Sequence, residues 1–430
     1  MSIEEVPTDN DATGWPGSVL CDLVGNQHSP ASHTSTSLMG GQQKSTVRPD
    51  VHWGGDIMAH GMKSVLAAGA IALGSVAFNS ATQAEELRIA IGLTGDNGLV
   101  RGMYRFADEI ETRTDGRYTG KVFELSLLNF AESMTGVRDG IADVGYVVPA
   151  YHRGEFPYFN MLVDFATAGV NPVAIAGAAN EYLVNCVKCM DEYKAQNQVF
   201  LGTSVIGPYY MMSVDKLTSL SDFQGKKIRG FGPFGRWVEA MGATAVVIGA
   251  NDIYEAISQG QLDGNTHTVD VLKSLSIGEV TDYVLDAPIG VYIGNSMFNL
   301  NRDVWNDLTE EDKKAFVMAG GAAIAWTTAQ YWNENQALLE DPGQMGVEVV
   351  QPEADVQQAT QTFREGDLAT VATLNKEKFG IEDADEQLAL INGLVEKWVK
   401  LTTDIDVNDK AAVIDLFAKE IFSKVDPTEL

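Results

Sequence analysis

A single arginine, Arg229, stands where an apolar strand pattern gives way to glycine and aromatic residues in the segment "GKKIRGFGPFGRW". A guanidinium keeps its charge at physiological pH, so its burial requires an anionic partner, and its planar fork fits a carboxylate through two hydrogen bonds. Gly230 and Gly232 allow close approach of a ligand, and a helix pattern beginning near Phe234 would direct free amide groups to the same place. The segment predicts either a carboxylate-binding site or an internal ion pair with an Asp or Glu residue.

Loops that follow predicted strands supply further candidate contacts, because such loops line clefts in α/β proteins. Thr94, Asp96 and Asn97 follow the strand pattern "LRIAIGL", and Tyr151 follows "IADVGYVVP". Phe234 fits helix packing by its spacing, although it also lies close to Arg229 in the chain.

The sequence contains no catalytic motif of the kinds that are recognisable from spacing. It has no phosphate-binding G-x-x-x-x-G-K-[ST] loop, no G-x-S-x-G segment and no H-E-x-x-H segment. After residue 84 the histidines are His152 and His267, too few for a histidine-rich metal site. We therefore predict a protein that is not an enzyme and that uses neither a metal nor a cofactor.

Two cysteines, Cys186 and Cys189, form a C-x-x-C pair inside a helical pattern. In an oxidising compartment such a pair is either a local disulfide or two free thiols. Redox catalysis is not expected, because the strand-to-helix entry that activates a thiol is missing.

The charge and the N-terminal segment indicate where the protein works. The formal net charge of -29 argues against nucleic acid and anionic lipid as partners. Residues 62–84 combine a short basic start, about fourteen mostly apolar residues and small residues near the end, which predicts a secretory signal peptide rather than a membrane span. Residues 1–61 then form an upstream segment that is disordered or results from a wrongly assigned start. We predict export to the periplasm.

The remaining chain shows two series of alternating strands and helices, which predict an α/β fold with parallel sheets. We predict a first lobe over residues 85–207 with part of 293–340, and a second lobe over 208–292 with part of the C-terminal region. Paired strands are expected at residues 198–207 and 209–215. Residues 301–430 are mainly helical, and a helix at about 309–340 is long enough to span both lobes. A ligand would bind in the cleft between the lobes.

Several ordered sequence blocks resemble the periplasmic solute receptors of tripartite ATP-independent periplasmic (TRAP) transporters, the DctP family. The family pattern "DLxGxKIR" is similar to the segment here that ends at Arg229, "xxGAxP" to the segment at Gly242 and Ala243, and "xEVYxALQxGxVDGxEN" to "NDIYEAISQGQLDGNTH". An earlier block, with Gly140, Asp143, Phe156 and Pro157, fits as well. The similarity covers about residues 87–400 and implies the two-lobed periplasmic-binding-protein fold.

The resemblance also implies a function and roles for individual residues. Arg229 would bind the ligand carboxylate, His267 falls where the family often carries an asparagine that contacts the ligand, and Phe231 would reshape the wall. Tyr209 and Tyr210 lie where other members place a second contact, but only one of two adjacent strand residues can face the cleft. Asn265 lies in the same segment as His267 and is a further candidate.

The implied protein is a monomeric receptor that closes on a small organic acid and delivers it to membrane permease subunits driven by an ion gradient. The ligand alternatives are a dicarboxylate, a monocarboxylate with an apolar or hydroxylated tail, and a zwitterion. The alternative functions are a receptor for a sensor kinase or an ATP-driven importer, and a lobed periplasmic enzyme.

Overall fold

The structure is a computed structural model that describes residues 84–430 except residue 170. The predicted upstream segment and, apart from Ala84, the predicted signal peptide lie outside the described residues. Among the residues described, none of the helices has both the length and the apolar character that crossing a bilayer would require.

Strands and helices alternate through the first two thirds of the chain, and helices dominate the last third. The strands are β1 Glu85–Ile91, β2 Tyr118–Glu124, β3 Val144–Val147, β4 Gln198–Val199, β5 Ile206–Pro208, β6 Tyr210–Ser213, β7 Lys227–Arg229, β8 Thr244–Val246, β9 Gly264–His267, β10 Tyr283–Leu285, β11 Val291–Tyr292, β12 Ser296–Asn301 and β13 Glu348–Val350. The helices are α1 Gly98–Arg113, α2 Ser133–Arg138, α3 Pro157–Asp164, α4 Pro172–Asn185, α5 Val187–Ala195, α6 Gly232–Ala240, α7 Ile253–Ser258, α8 Val271–Ser274, α9 Arg302–Asp307, α10 Glu310–Glu340, α11 Ala354–Phe379, α12 Ala384–Thr402 and α13 Lys410–Glu420.

The first lobe is built on a five-stranded sheet in the order β2-β1-β3-β12-β4. Strand β1 runs parallel to both β2 and β3, as the alternating strand and helix pattern predicts. Strand β12 returns antiparallel to β3 from much later in the chain. The apolar face of α1, including Met103, Phe106 and Ile110, is buried and supplies much of the core.

The second lobe is built on a six-stranded sheet in the order β13-β10-β6-β9-β7-β8. Strand β7 runs parallel to β8 and β9, with Arg229 opposite Val246 and Asn265. Strands β6 and β9 are antiparallel, and Tyr210 pairs with His267. The carboxyl ends of β7, β8 and β9 therefore lie side by side.

The predicted pairing of residues 198–207 with 209–215 is wrong. Strand β4 joins the first sheet and β6 joins the second, while β5 pairs with β11 in a separate two-stranded ribbon. The predicted strand is interrupted at Gly202, whose φ of 145° is unfavourable for other residues and where a β-carbon would collide with the Ile324 side chain. The chain therefore crosses between the two lobes here, and it crosses again between β10 and β12.

Helix α10 has 31 residues, about 46 Å at 1.5 Å per residue, and matches the predicted long helix. Thr309 caps its start by accepting from the Asp312 amide at 3.1 Å. Gly320 and Gly321 lie inside the helix without interrupting it; a β-carbon at Gly320 would collide with the Leu201 carbonyl, and one at Gly321 with a phenylalanine ring. The helix packs along α1 in the first lobe, and residues near its end pack against the core of the second.

A buried ion network fastens both lobes to α11. Arg236 on α6 contacts Asp164 on α3 at 3.2 Å and Asp367 on α11 at 2.5 Å, and Arg153 contacts Asp164 at 2.5 Å. The side chain of Asp164 is fully buried, so two cations balance a charge that would otherwise be costly. Elsewhere in the first lobe, Cys186 and Cys189 form a disulfide, one of the two states that the sequence left open.

Candidate ligand-binding site

A pocket lies between the lobes, where β1, β3, β7, β8 and β9 end. Its lining is mostly aromatic and aliphatic, with few polar groups. The lining residues are Leu93, Asn97, Leu99, Phe130, Tyr146, Val148, Tyr151, Ile206, Tyr209, Arg229, Phe231, Ala250, His267, Asp270, Val271, Ser274, Leu275, Tyr292 and Tyr331. The free space is about 40 Å³, well below the ~150 Å³ that accommodates benzene in an engineered cavity. A ring-sized ligand would therefore require the lobes or the lining rings to separate.

Arg229 is the last residue of β7 and is only 1% exposed. Its Nε donates to the Ile248 carbonyl at 3.3 Å and its Nη1 to the Thr266 carbonyl at 3.1 Å. Within residues 84–430, no carboxylate oxygen lies within 4.0 Å of its guanidinium nitrogens, in contrast to Arg153 and Arg236. The two backbone carbonyls fix the side chain, and its Nη2 donates to no group in the described part of the chain, which leaves it available to an anion.

Aromatic rings surround the guanidinium. The Phe231 ring centre lies 4.6 Å from the Arg229 Cζ, a cation-π distance. Tyr209 stacks on Phe234 at 4.1 Å, on His267 at 4.8 Å and on Tyr292 at 5.4 Å between ring centres. These contacts pack the rings against one another beside the cation, which is only 1% exposed.

His267 ends β9 and carries its proton on Nε2. Its Nδ1 accepts the Thr268 backbone N–H at 2.9 Å, so this nitrogen is unprotonated in the neutral ring. Burial lowers the pKa of His267 well below its ordinary value, and the nearby charge of Arg229 lowers it further. The imidazole is therefore neutral at pH 7 and can donate one hydrogen bond from Nε2.

Asp270 was not identified from the sequence, although it directly follows the segment that contains His267. Its carboxylate accepts from Thr268 Oγ1 at 2.5 Å, from Asn97 Nδ2 at 3.1 Å and from Ser274 Oγ at 3.1 Å. Burial raises the pKa of Asp270, and these hydroxyl donors oppose the shift. The side chain is fixed from both lobes and lines the same pocket as Arg229.

Three further tyrosines line the pocket but were not identified as site residues from the sequence: Tyr146, Tyr292 and Tyr331. The hydroxyl groups of Tyr146 and Tyr292 have no hydrogen-bond partner in the described part of the chain, whereas that of Tyr331 lies 3.4 Å from Thr268 Oγ1. The only available signal was position, because Tyr146 lies on β3 and Tyr292 on the crossing strand β11.

The structure brings six of the predicted site residues to the pocket and places five elsewhere. The six are Asn97, Tyr151, Tyr209, Arg229, Phe231 and His267. Tyr210 lies in the second hydrophobic core, as the alternation of strand side chains requires, and Phe234 backs Tyr209 without lining the pocket. Asn265 is fully buried with no partner for either side-chain polar atom among the described residues. Thr94 bonds to Glu124, and Asp96 pairs with Arg101 on the exposed surface.

Three hydrogen bonds cross between the lobes around the pocket. The Ala250 amide donates to the Tyr151 hydroxyl at 3.1 Å, and Asn251 Nδ2 donates to the Gly92 carbonyl at 3.2 Å. The third joins Asn97 to Asp270. These bonds hold the two strand-end surfaces together in a closed arrangement.

The described residues contain no cluster of His, Cys, Asp and Glu that could hold a metal ion. Residues 96–371 match the family model of bacterial extracellular solute-binding proteins, family 7 (DctP). A solute-binding protein of Roseobacter denitrificans is 21% identical over 282 residues, which cover 63% of this chain and 84% of that relative.

Two solved structures show the same two-lobed fold. A TRAP periplasmic solute-binding protein from Bordetella bronchiseptica, with bound (R)-mandelate and (S)-mandelate, is 25% identical with a TM-score of 0.63, covering 73% of this chain and 99% of that one. A marine metagenome TRAP solute-binding protein specific for aromatic acid ligands, in complex with 3-hydroxybenzoate, is 17% identical with a TM-score of 0.64, covering 74% and 99%. The predicted fold class is confirmed.

Proposed function

This chain belongs to bacterial extracellular solute-binding protein family 7, whose members are solute receptors rather than enzymes, and from that premise we propose that it captures a small organic acid through a salt bridge between the ligand carboxylate and Arg229. The receptor would then deliver the acid to the membrane permease subunits of a TRAP transporter.

The observation that carries this proposal is the buried charge of Arg229 without a counter-ion among the described residues. Burying a charge is costly unless it is paired, and the sequence alone left an internal ion pair as the alternative. A ligand carboxylate would complete the pairing at the free edge of the guanidinium. The charge-assisted bonds would be strong because the aromatic wall excludes water.

The contacts between the lobes support binding by closure. Tyr151, Asn251 and Asn97 each form a hydrogen bond across the pocket. Opening the lobes would break these hydrogen bonds, and a ligand that contacts both lobes would favour their formation again. Closure would also create the surface that a permease recognises.

Thermal unfolding of residues 85–430 against a panel of small carboxylates tests the proposal. We expect a selective rise in the unfolding temperature, because a ligand at a hundred times its dissociation constant adds ~2.7 kcal/mol of stability. The rise should disappear in Arg229→Met.

A matched control is Arg88→Met, because Arg88 is also a strand arginine but is paired with Asp143 and lies outside the pocket. This control should unfold earlier than the wild type and keep the full ligand response. A response that persists in Arg229→Met would contradict the salt bridge.

Export through residues 62–84 and a monomeric state in the periplasm complete the proposal. The N-terminal sequence of the exported protein should begin near residue 85. Finding residues 1–61 still attached would contradict the assigned cleavage.

A further inference from the structure

The charges in the pocket lining limit what the ligand can carry. The lining contains Arg229, and its histidine, His267, is neutral. Among the lining residues these are the only side chains that can carry positive charge. Arg101, which follows the lining residues Asn97 and Leu99 in the chain, does not line the pocket and already bonds to Asp96 and Glu334.

Asp270 also lines the pocket, and its carboxylate oxygens lie more than 4.0 Å from the guanidinium nitrogens of Arg229, so the two are not an ion pair. Its carboxylate is held by neutral donors from both lobes: the amide of Asn97 and the hydroxyls of Thr268 and Ser274. None of these donors brings positive charge. In either protonation state, Asp270 therefore offers no counter-ion to a second anionic group.

Resting on the function proposed above, we propose that this receptor selects monocarboxylates over dicarboxylates and that Asp270 is the residue that sets this specificity. A monocarboxylate places its one charge on Arg229 and leaves neutral atoms near Asp270. A dicarboxylate that uses Arg229 for one group must bury the other without a cation and near a carboxyl side chain.

The expected discrimination is large. A buried carboxylate without a counter-ion is costly, an ionised Asp270 beside it adds to that cost, and every 1.4 kcal/mol is tenfold in affinity. We expect dissociation constants for dicarboxylates at least about 100-fold weaker than for size-matched monocarboxylates.

Isothermal titration with size-matched acids tests this proposal. Lactate, propionate and malonate share a three-carbon skeleton, and mandelate and phenylmalonate extend the comparison to a ring, in case the pocket opens for larger ligands. We expect at least one monocarboxylate to bind, with the matched dicarboxylate about 100-fold weaker or undetectable. Equal or tighter binding of malonate or phenylmalonate would overturn the proposal.

The variant Asp270→Asn isolates the charge of this side chain while keeping its shape. We expect the ratio of dicarboxylate to monocarboxylate dissociation constants to narrow at least about tenfold, because one source of repulsion is removed. Asp282→Asn is the matched control, since it removes the same charge from an exposed position outside the pocket and should leave the ratio unchanged. An unchanged ratio in Asp270→Asn would remove Asp270 as the determinant.

The wild-type panel decides the charge preference even if Asp270→Asn does not fold. It also separates the two proposals. Tight binding of dicarboxylates that is lost in Arg229→Met would overturn the monocarboxylate preference alone. Binding that does not depend on Arg229 would overturn the proposed salt bridge, and with it the premise of this inference.

Discussion

Replacing Arg229 by methionine distinguishes a ligand-binding arginine from a structural one even before a ligand is known. Methionine keeps a long unbranched stem and removes the charge. In the ligand-free wild type, the guanidinium makes two bonds to backbone carbonyls. Bonds of this kind to a charged group contribute about 1.5–3 kcal/mol each.

Against these bonds stands the cost of a buried, unpaired charge, which is several kcal/mol in real proteins. The two contributions roughly offset each other. We therefore expect the free energy of unfolding of ligand-free Arg229→Met to lie within about 2 kcal/mol of the wild-type value. Removing one partner of a buried ion pair would instead cost about 3–5 kcal/mol.

The effect on ligand binding should be much larger. Truncating one side of a buried charge pair costs about 2–5 kcal/mol, and a loss of ~4 kcal/mol weakens binding about 1,000-fold. A ligand present at a hundred times the wild-type dissociation constant would then stand at about a tenth of the variant's value. Its contribution to stability would fall from ~2.7 kcal/mol to about 0.1 kcal/mol or less.

Urea denaturation of residues 85–430, followed by tryptophan fluorescence with and without the carboxylate, measures both quantities in one experiment. Wild type, Arg229→Met and Arg88→Met should be compared under the same conditions. A drop of 3–5 kcal/mol in ligand-free Arg229→Met, with the ligand response retained, would refute the reasoning and make Arg229 a structural residue.

Three further predictions concern other parts of the molecule. The unfolded chain protonates His267 near pH 6.5, whereas the folded chain does so only at much lower pH, so the free energy of unfolding falls as the pH drops below about 6.5. His267→Gln should reduce the slope of the free energy of unfolding against pH by up to ~1.4 kcal/mol per pH unit. Urea titrations from pH 7 to 5 measure this slope. Tyr151→Phe leaves an amide of the other lobe without its acceptor, so calorimetry should show ligand affinity at least about fivefold weaker, and unchanged affinity would exclude this bond from closure. Gly320→Ala should lower the free energy of unfolding by about 1–3 kcal/mol through collision with a backbone carbonyl, whereas Gly366→Ala, which faces open space in α11, should raise it by about 0.5–1 kcal/mol.

The helices and strands that could be predicted are those with a strong hydrophobic periodicity and clear capping or turn residues at their ends. The parallel order of β1, β2 and β3 follows from strands separated by helices too long for hairpins. The long helix α10 could be predicted at about 309–340 from its helical pattern, and in the structure it begins one residue later, after the Thr309 cap and with acidic residues in its first turn. The short strands β4 and β5 could not be separated, because a run of apolar residues has the same sequence pattern whether it pairs within one sheet or crosses between two.

The residues of the pocket also differ in how readily the sequence reveals them. Arg229 could be singled out because a cation in an apolar strand is costly and demands an explanation. Tyr292 and Tyr331 could not be singled out in this way, since a tyrosine in a strand or helix can pack in a hydrophobic core as well as line a pocket. Their place in the pocket depends on β11 and α10 returning to it from far along the chain, which no local pattern encodes.

Asp270 shows why the proposed preference for monocarboxylates could be inferred only from the structure. Its position after β9 was visible in the sequence, but an aspartate in a loop is most often solvated. Its meaning comes from Asn97, which reaches it from the other lobe, and from the absence of a second free cation among the lining residues. The sequence can propose the group that attracts a ligand, because a buried charge is conspicuous. A residue proposed to reject dicarboxylates is recognised only when all the lining residues are known, because the rejection depends on the absence of a second cation among them.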